Sequence, residues 1–414
     1  MGAVTNLLER YGDIRSLTER LAEPLSAEDQ TVQSMPDVSP TKWHRAHTSW
    51  FFETFILRPF GAGYEEFHPD FAFLFNSYYE AAGPRYARSQ RGCVSRPGCA
   101  EVREYRRHVD HHMEQVISDG PDERVAPLVE LGLNHEQQHQ ELLVMDIKHV
   151  LSMSPVDPVY RPSRSSRSTP NPAAAVPAAD WVEHDGGLVE VGHDGCGFAY
   201  DNEGPAHAVH LAPFALADRL VTCGDWMEFV DAGGYRRPQL WLSDGWAAVQ
   251  TQGWEAPLYW SRVDGGWTVY TLGGRRLVDP DEPVCHVSYY EADAFAAWAG
   301  ARLPTEFEWE AVAAGQPVSG QLSSLDGVHP RPQHQASFYG EAWAWTSSAY
   351  QPYPGFAPVA GAVGEYNGKF MVNQQVLRGG CCATPDGHIR PTYRNFFPAS
   401  ARWPFAGVRL AKNV

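Results

Sequence analysis

The sequence predicts two domains of different fold class, an α-helical bundle over residues 1–153 and an α+β domain over residues 181–414. The first half contains four segments with apolar residues at spacings of three and four, which is typical of amphipathic helices. The second half is rich in Gly, Pro and Trp, with short apolar stretches such as GLVEV and HAVHL that favour strands. Residues 154–180 are rich in Pro, Ser and Ala without apolar periodicity, which predicts an extended connection.

The helical segments of the first half are LLERYGDIRSLTERL, WFFETFIL, EVREYRRHVDHHMEQVI and VAPLVELGLNHEQQHQELLVMDIKHVL. Between the second and the third lies FLFNSYYEAAGPRYARSQRGCVSRPG, an aromatic and arginine-rich stretch that Gly and Pro interrupt. This stretch predicts a long loop or a broken helix, and long loops inside compact domains usually carry function. In the second half, only CGDWMEFVDAGG and SYYEADAFAAWAGA show a helical pattern.

Charge and composition limit the classes of partner. The 414 residues include 50 acidic and 33 basic side chains, and a formal charge of -17 repels phosphate backbones. We therefore expect no nucleic-acid partner. The N-terminus has no signal-peptide pattern and no apolar run of membrane-spanning length occurs, so we expect a cytoplasmic protein without a membrane partner. Seven scattered cysteines do not form a disulfide framework. No feature indicates an oligomeric state.

The motif HEQQH predicts a metal site. In a helix His135 and His139 lie one turn apart, about 40° apart in projection, so both rings can reach one ion. A second pair, His44 and His47, precedes an apolar helical run, and one of them could complete a three-histidine site. Three neutral imidazoles leave open positions that suit Fe(II), although zinc would bind them as readily. The residues alone leave the metal open.

A zinc protease is the alternative that this motif raises. HEQQH fits H-E-x-x-H, in which Glu136 would be the general base and a third ligand would follow downstream. After His139 the chain gives QELLVMDIKHVLSMSP, which has no glycine turn to bring a third ligand back to the ion. The spacing therefore favours a metal site of another class.

Longer stretches of the chain resemble a known family. WHRAHTSWFFETFIL, FNSYYEAAGPRYARSQRG and NHEQQHQELL resemble the DinB-like helical domain of the sulfoxide synthases of ergothioneine biosynthesis, the EgtB family. VCHVSYYEADAFAAWAGARLPTEFEWE, WAWTSS, VLRGG and RPTYRNFFPASARWPFAGVRLA resemble the family's formylglycine-generating-enzyme-like domain, which has a C-type-lectin-like fold. The resemblance covers almost the whole chain in order. It implies an Fe(II)- and O2-dependent enzyme that joins a thiol sulfur to C2 of the imidazole of hercynine and leaves a sulfoxide.

The resemblance also implies roles for particular residues. The positions that match the family's iron ligands are His47, His135 and His139. Gln138 and Asn395 match positions that bind the hercynine imidazole or its bound water. Arg88 and Arg91 match the pair that holds the carboxylate of the sulfur donor. Guanidinium groups suit this role because they can form bidentate hydrogen bonds with a carboxylate.

Departures from the family pattern limit which thiol compound can serve as the sulfur donor. The branch that uses γ-glutamylcysteine has Asn-Trp-Asp where this chain has Asn395, Phe396 and Phe397, and its Asp contacts the donor's amino group. Phe397 cannot make that contact, whereas both phenylalanines could offer aromatic faces to a trimethylammonium group. Tyr78 and Tyr79 stand side by side, as in the branch that takes free cysteine. We therefore expect cysteine as the donor and one of these two tyrosines as the proton donor.

Four other hypotheses remain in view. Selenoneine synthases resemble this family over its full length, and the unusual Cys381 in GGCCATP leaves a selenosugar donor open. A formylglycine-generating enzyme would act through spaced cysteines, whereas Cys381 and Cys382 are adjacent. A zinc-dependent thiol transferase of the DinB type would explain only the bundle. A lectin-like binding module would leave the histidines without a role.

Overall fold

The first half of the chain folds as four helices, as its periodicity predicts. The computed structural model describes residues 2–121, 123–162, 176–322, 328–358, 362–365 and 367–414. The helices are α1 (Gly2–Ala22), α2 (Thr41–Phe52), α3 (Cys99–Ser118) and α4 (Val125–Ser152). Helix α2 packs against the other three, and all 12 of its residues are buried. It is therefore the central element of the bundle.

Helix α2 continues into a π-helical turn, Glu53–Leu57, and ends with Arg58–Phe60. The buried carboxylate of Glu53 anchors this turn, because it accepts hydrogen bonds from the hydroxyls of Tyr105 and Tyr64. The stretch that follows is broken into single turns at Phe71–Leu74, Glu80–Ala82 and Arg88–Cys93. The prediction of a long loop or a broken helix is thus confirmed.

A glycine permits the close approach of α4 to α2. A Cβ atom added to Gly132 would lie 2.5 Å from Cε1 of Phe52 and 3.1 Å from Cε1 of Phe51. Because both rings belong to the buried core, neither is free to move aside. Gly132 lies one turn before His135, so the glycine sets how near that histidine comes to α2.

Gly132→Ala is expected to lower thermal stability. Overpacking a core costs about 1–3 kcal/mol, which outweighs the gain in helix propensity of roughly 1 kcal/mol from alanine. Gly12→Ala in α1 is the matched control, because a Cβ there meets nothing within 4 Å. Thermal unfolding followed by circular dichroism should show a lower midpoint for Gly132→Ala and an equal or higher one for Gly12→Ala. Equal midpoints in both variants would contradict the steric explanation.

The second half contains small sheets joined by irregular chain. The strands are β1 (Trp181–His184), β2 (Gly187–Val191), β3 (His207–Leu211), β4 (Phe214–Ala217), β5 (Trp260–Val263), β6 (Gly266–Thr271), β7 (Gly274–Leu277), β8 (Trp343–Ala349), β9 (Gln375–Arg378), β10 (Asn395–Phe397), β11 (Ala406–Gly407) and β12 (Ala411–Asn413). A three-stranded sheet has the order β1, β4, β12, and a four-stranded sheet has the order β10, β9, β8, β11. Strands β5, β6 and β7 form a meander, and β2 and β3 form a hairpin. The pairs are antiparallel except β8 with β11.

Helices of the second half exceed the two that were expected. The expected ones form as α5 (Cys223–Asp231) and α7 (Tyr289–Trp298), and the structure adds α6 (Ser243–Gln252) and α8 (Glu306–Ala313). The expectation of only two was wrong. The sequence did contain a signal for the start of α8, because Thr305 and Glu308 have the spacing of a capping box, which they form in the structure.

The described residues divide into two compact units. One comprises Met1–Tyr160 with Pro358–Tyr366, and the other comprises Arg161–Ala357 with Asn367–Val414. A short segment from late in the sequence thus belongs to the helical unit. Residues 163–175 of the predicted connection lie outside the described residues. Among the helices that are described, none combines the length and the apolar character needed to span a bilayer.

Candidate metal centre

Three histidines converge in the helical unit. His47 on α2 meets His135 and His139 on α4, and one ligand atom from each lies within 4.8 Å of the others. The Nε2 atoms of His47 and His135 are 3.2 Å apart, and the three ring centroids are separated by 4.6 to 4.9 Å. His47 and His135 are buried, while His139 is half-buried. The structure therefore brings together the three histidines that the sequence predicts as ligands.

The ring of His47 is held on both faces and at one nitrogen. Its plane stacks between Trp43 at 4.6 Å and Trp50 at 5.4 Å. Its Nδ1 lies 2.6 Å from the carbonyl oxygen of Phe75, which accepts the Nδ1 proton. Nε2 is consequently left with its lone pair directed at His135.

His44, the other candidate on α2, does not join the three clustered histidines. Its Nδ1 lies 2.9 Å from Nδ1 of His139, and its Nε2 lies 3.0 Å from Oδ2 of Asp146. Spacing left open whether His44 or His47 lies with the histidines of α4. The structure places His47 in the cluster, whereas His44 contacts His139 without belonging to the cluster.

Burial keeps the three imidazoles neutral. Desolvation lowers the pKa of His135 to about 3. It also lowers the pKa of His47 and of His139 well below the usual value, and the neighbouring histidines add to both effects. Neutral imidazoles are the form that binds a metal ion, so the donor set fits a divalent cation at neutral pH. Three nitrogen ligands leave further coordination positions for small molecules.

Glu136 is bound to arginines inside the bundle. Its carboxylate accepts hydrogen bonds from Arg15 at 2.8 Å, Arg106 at 2.9 Å and the Thr18 hydroxyl at 2.6 Å. Burial alone would raise its pKa, but the two guanidinium groups hold that pKa at about 2. Glu136 is therefore an ionised structural group within the core. The protease hypothesis needs this carboxylate as a general base, so the observed pairing argues against it.

The two neighbouring tyrosines pack beside the metal cluster. Tyr79 is fully buried, and its ring lies 5.5 Å from Trp50, the residue that stacks on His47. Tyr78 is half-buried and stacks on Tyr79 at 4.7 Å. The side chain of Asn76 fixes this turn through hydrogen bonds to the backbone of Tyr79. The tyrosine pair is thus coupled by packing to the ligand helix α2.

A late segment of the chain holds the turn that follows the tyrosines. The carboxylate of Glu365 accepts hydrogen bonds from the backbone amides of Glu80 at 3.0 Å and Ala81 at 2.8 Å. Capping of a helical turn by a carboxylate is favourable because the first amides otherwise lack acceptors. Sequence reasoning did not identify this contact, because 284 residues separate the two groups.

The two arginines occupy different environments. Arg91 is buried, with its guanidinium 3.4 Å above the ring of Trp43 and its Nη1 2.9 Å from Oγ of Ser39. Burial, with Arg88 nearby, lowers the pKa of Arg91 well below its usual value. Arg88 is exposed and donates to the carbonyl oxygen of Asp37. Gln138 is half-buried on α4, next to His139 in sequence.

The remaining predicted site residues belong to the second compact unit. Asn395, Phe396 and Phe397 form β10, are half-buried and pair with β9. Phe396 stacks on Tyr350 at 4.1 Å, and Phe397 meets Trp403 edge-on at 5.8 Å. The carboxamide oxygen of Asn395 accepts the amide hydrogen of Phe396.

Cys381 and Cys382 are fully buried, and neither forms a disulfide. The sulfur of Cys381 lies 3.4 Å from the amide nitrogen of Ala383 and 3.5 Å from Oγ1 of Thr384, and both groups can donate to it. These contacts describe a small side chain packed into a local turn.

The chain is similar to known proteins over its full length. Its residues 10–143 match the DinB superfamily, and residues 166–414 match the sulfatase-modifying factor enzyme 1-like domain. Hercynine oxygenase of Mycolicibacterium smegmatis is 32% identical over 457 aligned residues, covering 100% of each chain. Hercynine oxygenase of Mycobacterium tuberculosis is 31% identical and covers 97% of each chain. Formylglycine-generating enzyme of Thermomonospora curvata is 32% identical over only 41% of this chain and 59% of the relative.

Proposed function

Because the chain belongs to the hercynine oxygenase family, we propose that it is a non-haem iron(II), O2-dependent sulfoxide synthase of the ergothioneine type. It is an enzyme, an oxidoreductase built from a DinB-type helical domain and a formylglycine-generating-enzyme-type domain. The observation that carries the proposal is the convergence of His47, His135 and His139 in a chain that matches these relatives from end to end. The substrates proposed are hercynine and a thiol, joined at C2 of the hercynine imidazole.

The three histidines would hold the iron(II) ion through their Nε2 atoms. Such an ion would supply the one-electron chemistry that O2 requires. The protein's own contribution is to keep the imidazoles neutral by burial and to fix the ring of His47 between Trp43 and Trp50. A zinc-dependent thiol transferase remains less favoured, because it leaves the second domain without a role.

Free cysteine is the donor that we favour. We propose that Arg91, with Arg88, holds the cysteine carboxylate by charge-assisted hydrogen bonds. Arg91 is suited to this role because its guanidinium is buried over Trp43, and Trp43 itself stacks on a proposed ligand. Gln138 and Asn395 are proposed to hold the hercynine imidazole, and Phe396 and Phe397 to offer apolar surface to its trimethylammonium group.

The direct test is anaerobic reconstitution with Fe(II), followed by O2 uptake and mass spectrometry with hercynine and three donors in parallel. Cysteine, γ-glutamylcysteine and a selenosugar should be compared at equal concentration. We expect hercynylcysteine sulfoxide with cysteine. Turnover of the selenosugar alone would establish the second candidate, a selenoneine synthase, and would draw attention to the buried Cys381. Absence of O2 uptake with all three donors would remove the proposed activity.

Tyr79→Phe is expected to redirect the reaction. A tyrosine hydroxyl is proposed to donate the proton that favours sulfoxide formation over dioxygenation of the thiol to a sulfinate. General acid groups contribute about 10²–10⁴-fold, so the ratio of sulfoxide to sulfinate should fall by roughly 10² or more. Tyr78→Phe should be measured beside it, with the larger fall expected for Tyr79 because its ring packs on Trp50.

Tyr86→Phe provides the control for this measurement, since Tyr86 lies in the same loop and packs on Phe73. Product ratios equal to those of the unmodified enzyme in both Tyr78→Phe and Tyr79→Phe would exclude the pair as proton donors.

We also propose a cytoplasmic location. None of the seven cysteines, all of which lie in the described residues, forms a disulfide, and reduced thiols are typical of the cytosol.

A further inference from the structure

A series of buried polar side chains connects His139 on α4, through His44 on α2, to Asp146, which also lies on α4. Nδ1 of His139 lies 2.9 Å from Nδ1 of His44, and Nε2 of His44 lies 3.0 Å from Oδ2 of Asp146. The backbone amide of Ser39 donates to the same Oδ2 at 2.8 Å. His44, Asp146 and Ser39 are only 2%, 3% and 3% exposed. These groups therefore interact in a site from which water is largely excluded.

The hydrogen positions in this chain follow from its ends. An ionised carboxylate only accepts hydrogen bonds, so Nε2 of His44 carries the hydrogen that Asp146 accepts. A neutral His44 then has a bare Nδ1, which accepts, and Nδ1 of His139 must be the donor. His139 is thereby left with its lone pair on Nε2, the nitrogen it would present to a metal ion. The reverse arrangement would put hydrogen on that nitrogen and block coordination.

We propose that His44 and Asp146 are positioning residues that hold His139 in the tautomer and ring orientation that present Nε2 to a divalent metal ion. This inference rests on the metal centre of the proposed function. It assigns to His139 an orienting partner of the kind that His47 has in the carbonyl oxygen of Phe75. A second group behind a ligand histidine fixes the ring and raises its basicity, and losing such a group typically weakens metal affinity about 10–100-fold.

His47 and His139 differ in the kind of group that fixes the orientation of the ring. The acceptor for His47 is backbone, which no substitution removes, whereas the acceptor for His139 is a side chain supported by a buried carboxylate. Affinity for the metal should therefore depend on two residues that do not themselves bind it. This dependence can be measured without turnover.

The test is a Co(II) titration of chelator-treated full-length protein against a chromophoric competitor, with His44→Ala and Asp146→Asn as variants. We expect each to bind Co(II) about 10–100-fold more weakly than the unmodified protein. His112→Gln is the matched control, because His112 lies on α3 of the same unit and its Nδ1 contacts the carbonyl oxygen of His108. It should bind Co(II) as the unmodified protein does. Far-UV circular dichroism of each metal-free variant checks that the helices are intact.

His44→Asn adds a rescue. Its amide oxygen can accept from Nδ1 of His139 although the contact with Asp146 is lost, so part of the affinity lost in His44→Ala should return. Unchanged Co(II) affinity in folded His44→Ala and Asp146→Asn would overturn the inference. His139→Ala in the same titration separates the two hypotheses: if it also binds normally, the metal centre itself is wrong; if it alone loses affinity, only the positioning role fails.

A measurement on the unmodified protein covers the case in which the variants do not fold. Selective ¹⁵N-histidine labelling of the Zn(II)-loaded protein reports which ring nitrogen carries hydrogen. We expect hydrogen on Nδ1 of His139 and on Nε2 of His44. Hydrogen on Nδ1 of His44 would overturn the inference.

Discussion

His135→Ala and His139→Ala should each abolish turnover and weaken metal binding by more than the roughly 100-fold that is the upper end for losing an orienting group. Each substitution removes one of the three proposed nitrogen ligands from a cluster whose atoms lie within 4.8 Å of one another. Two imidazoles cannot hold a divalent ion against chelation as three do. Iron content after anaerobic reconstitution and initial O2 uptake with hercynine and cysteine measure the two effects separately.

His112→Ala is the control for both variants, because it removes a half-buried imidazole from α3 of the same unit, where the ring packs on Tyr64 and His108. If His135→Ala retained full iron content and normal O2 uptake, the proposed centre would be in error. If His135→Ala retained iron but lost O2 uptake, other groups would hold the ion. The three-histidine assignment would then need revision, although the activity proposed for the unmodified protein would still be possible. Only loss of both agrees with the geometry.

The local part of this site was accessible from the sequence. His135 and His139 share a helix face because four residues make about one turn, and this follows from spacing alone. The choice of His47 over His44 was not accessible from spacing, since both precede the same apolar run. It depends on how α2 and α4 approach each other at Gly132, and such an approach is a property of tertiary packing.

For Asp146 and His44 too, spacing within one helix was predictable from the sequence, whereas the contact between helices was not. Asp146 follows His139 by seven residues, which is two helical turns, so the sequence does place both on one face of α4. Nothing in the spacing says that His44 from another helix fills the gap between them. The π-helical turn Glu53–Leu57 did have a signal in the sequence that the prediction did not use, because Pro59 follows it by two residues and cannot donate to the carbonyl oxygen of Phe55. Contacts between elements therefore account for most of what the sequence did not predict.

The arginine network beneath the ligands gives the second large prediction. Arg106 is 2% exposed and donates to Glu136 at 2.9 Å, to the carbonyl oxygen of Arg45 at 2.8 Å and to Thr48 at 2.9 Å. Arg106→Met should destabilise the helical unit by about 3–5 kcal/mol, because removing one partner from a buried ionic network leaves the others uncompensated. Arg15 still reaches Glu136, but one guanidinium then faces a carboxylate that two had neutralised.

Arg58→Met is the matched control, because Arg58 pairs with Glu66 in the same unit while 45% and 38% of the two side chains remain exposed. Exposed pairs contribute about 0–1 kcal/mol, so this variant should unfold close to the unmodified protein. Urea unfolding of metal-free protein, followed at 222 nm, compares the two without any effect of metal on stability. A loss in Arg106→Met as small as that in Arg58→Met would mean that the methionine packs as well as the network does. Glu136 would then tolerate the loss of one of its two guanidinium partners, and Arg15 alone would be enough to hold its carboxylate in the core.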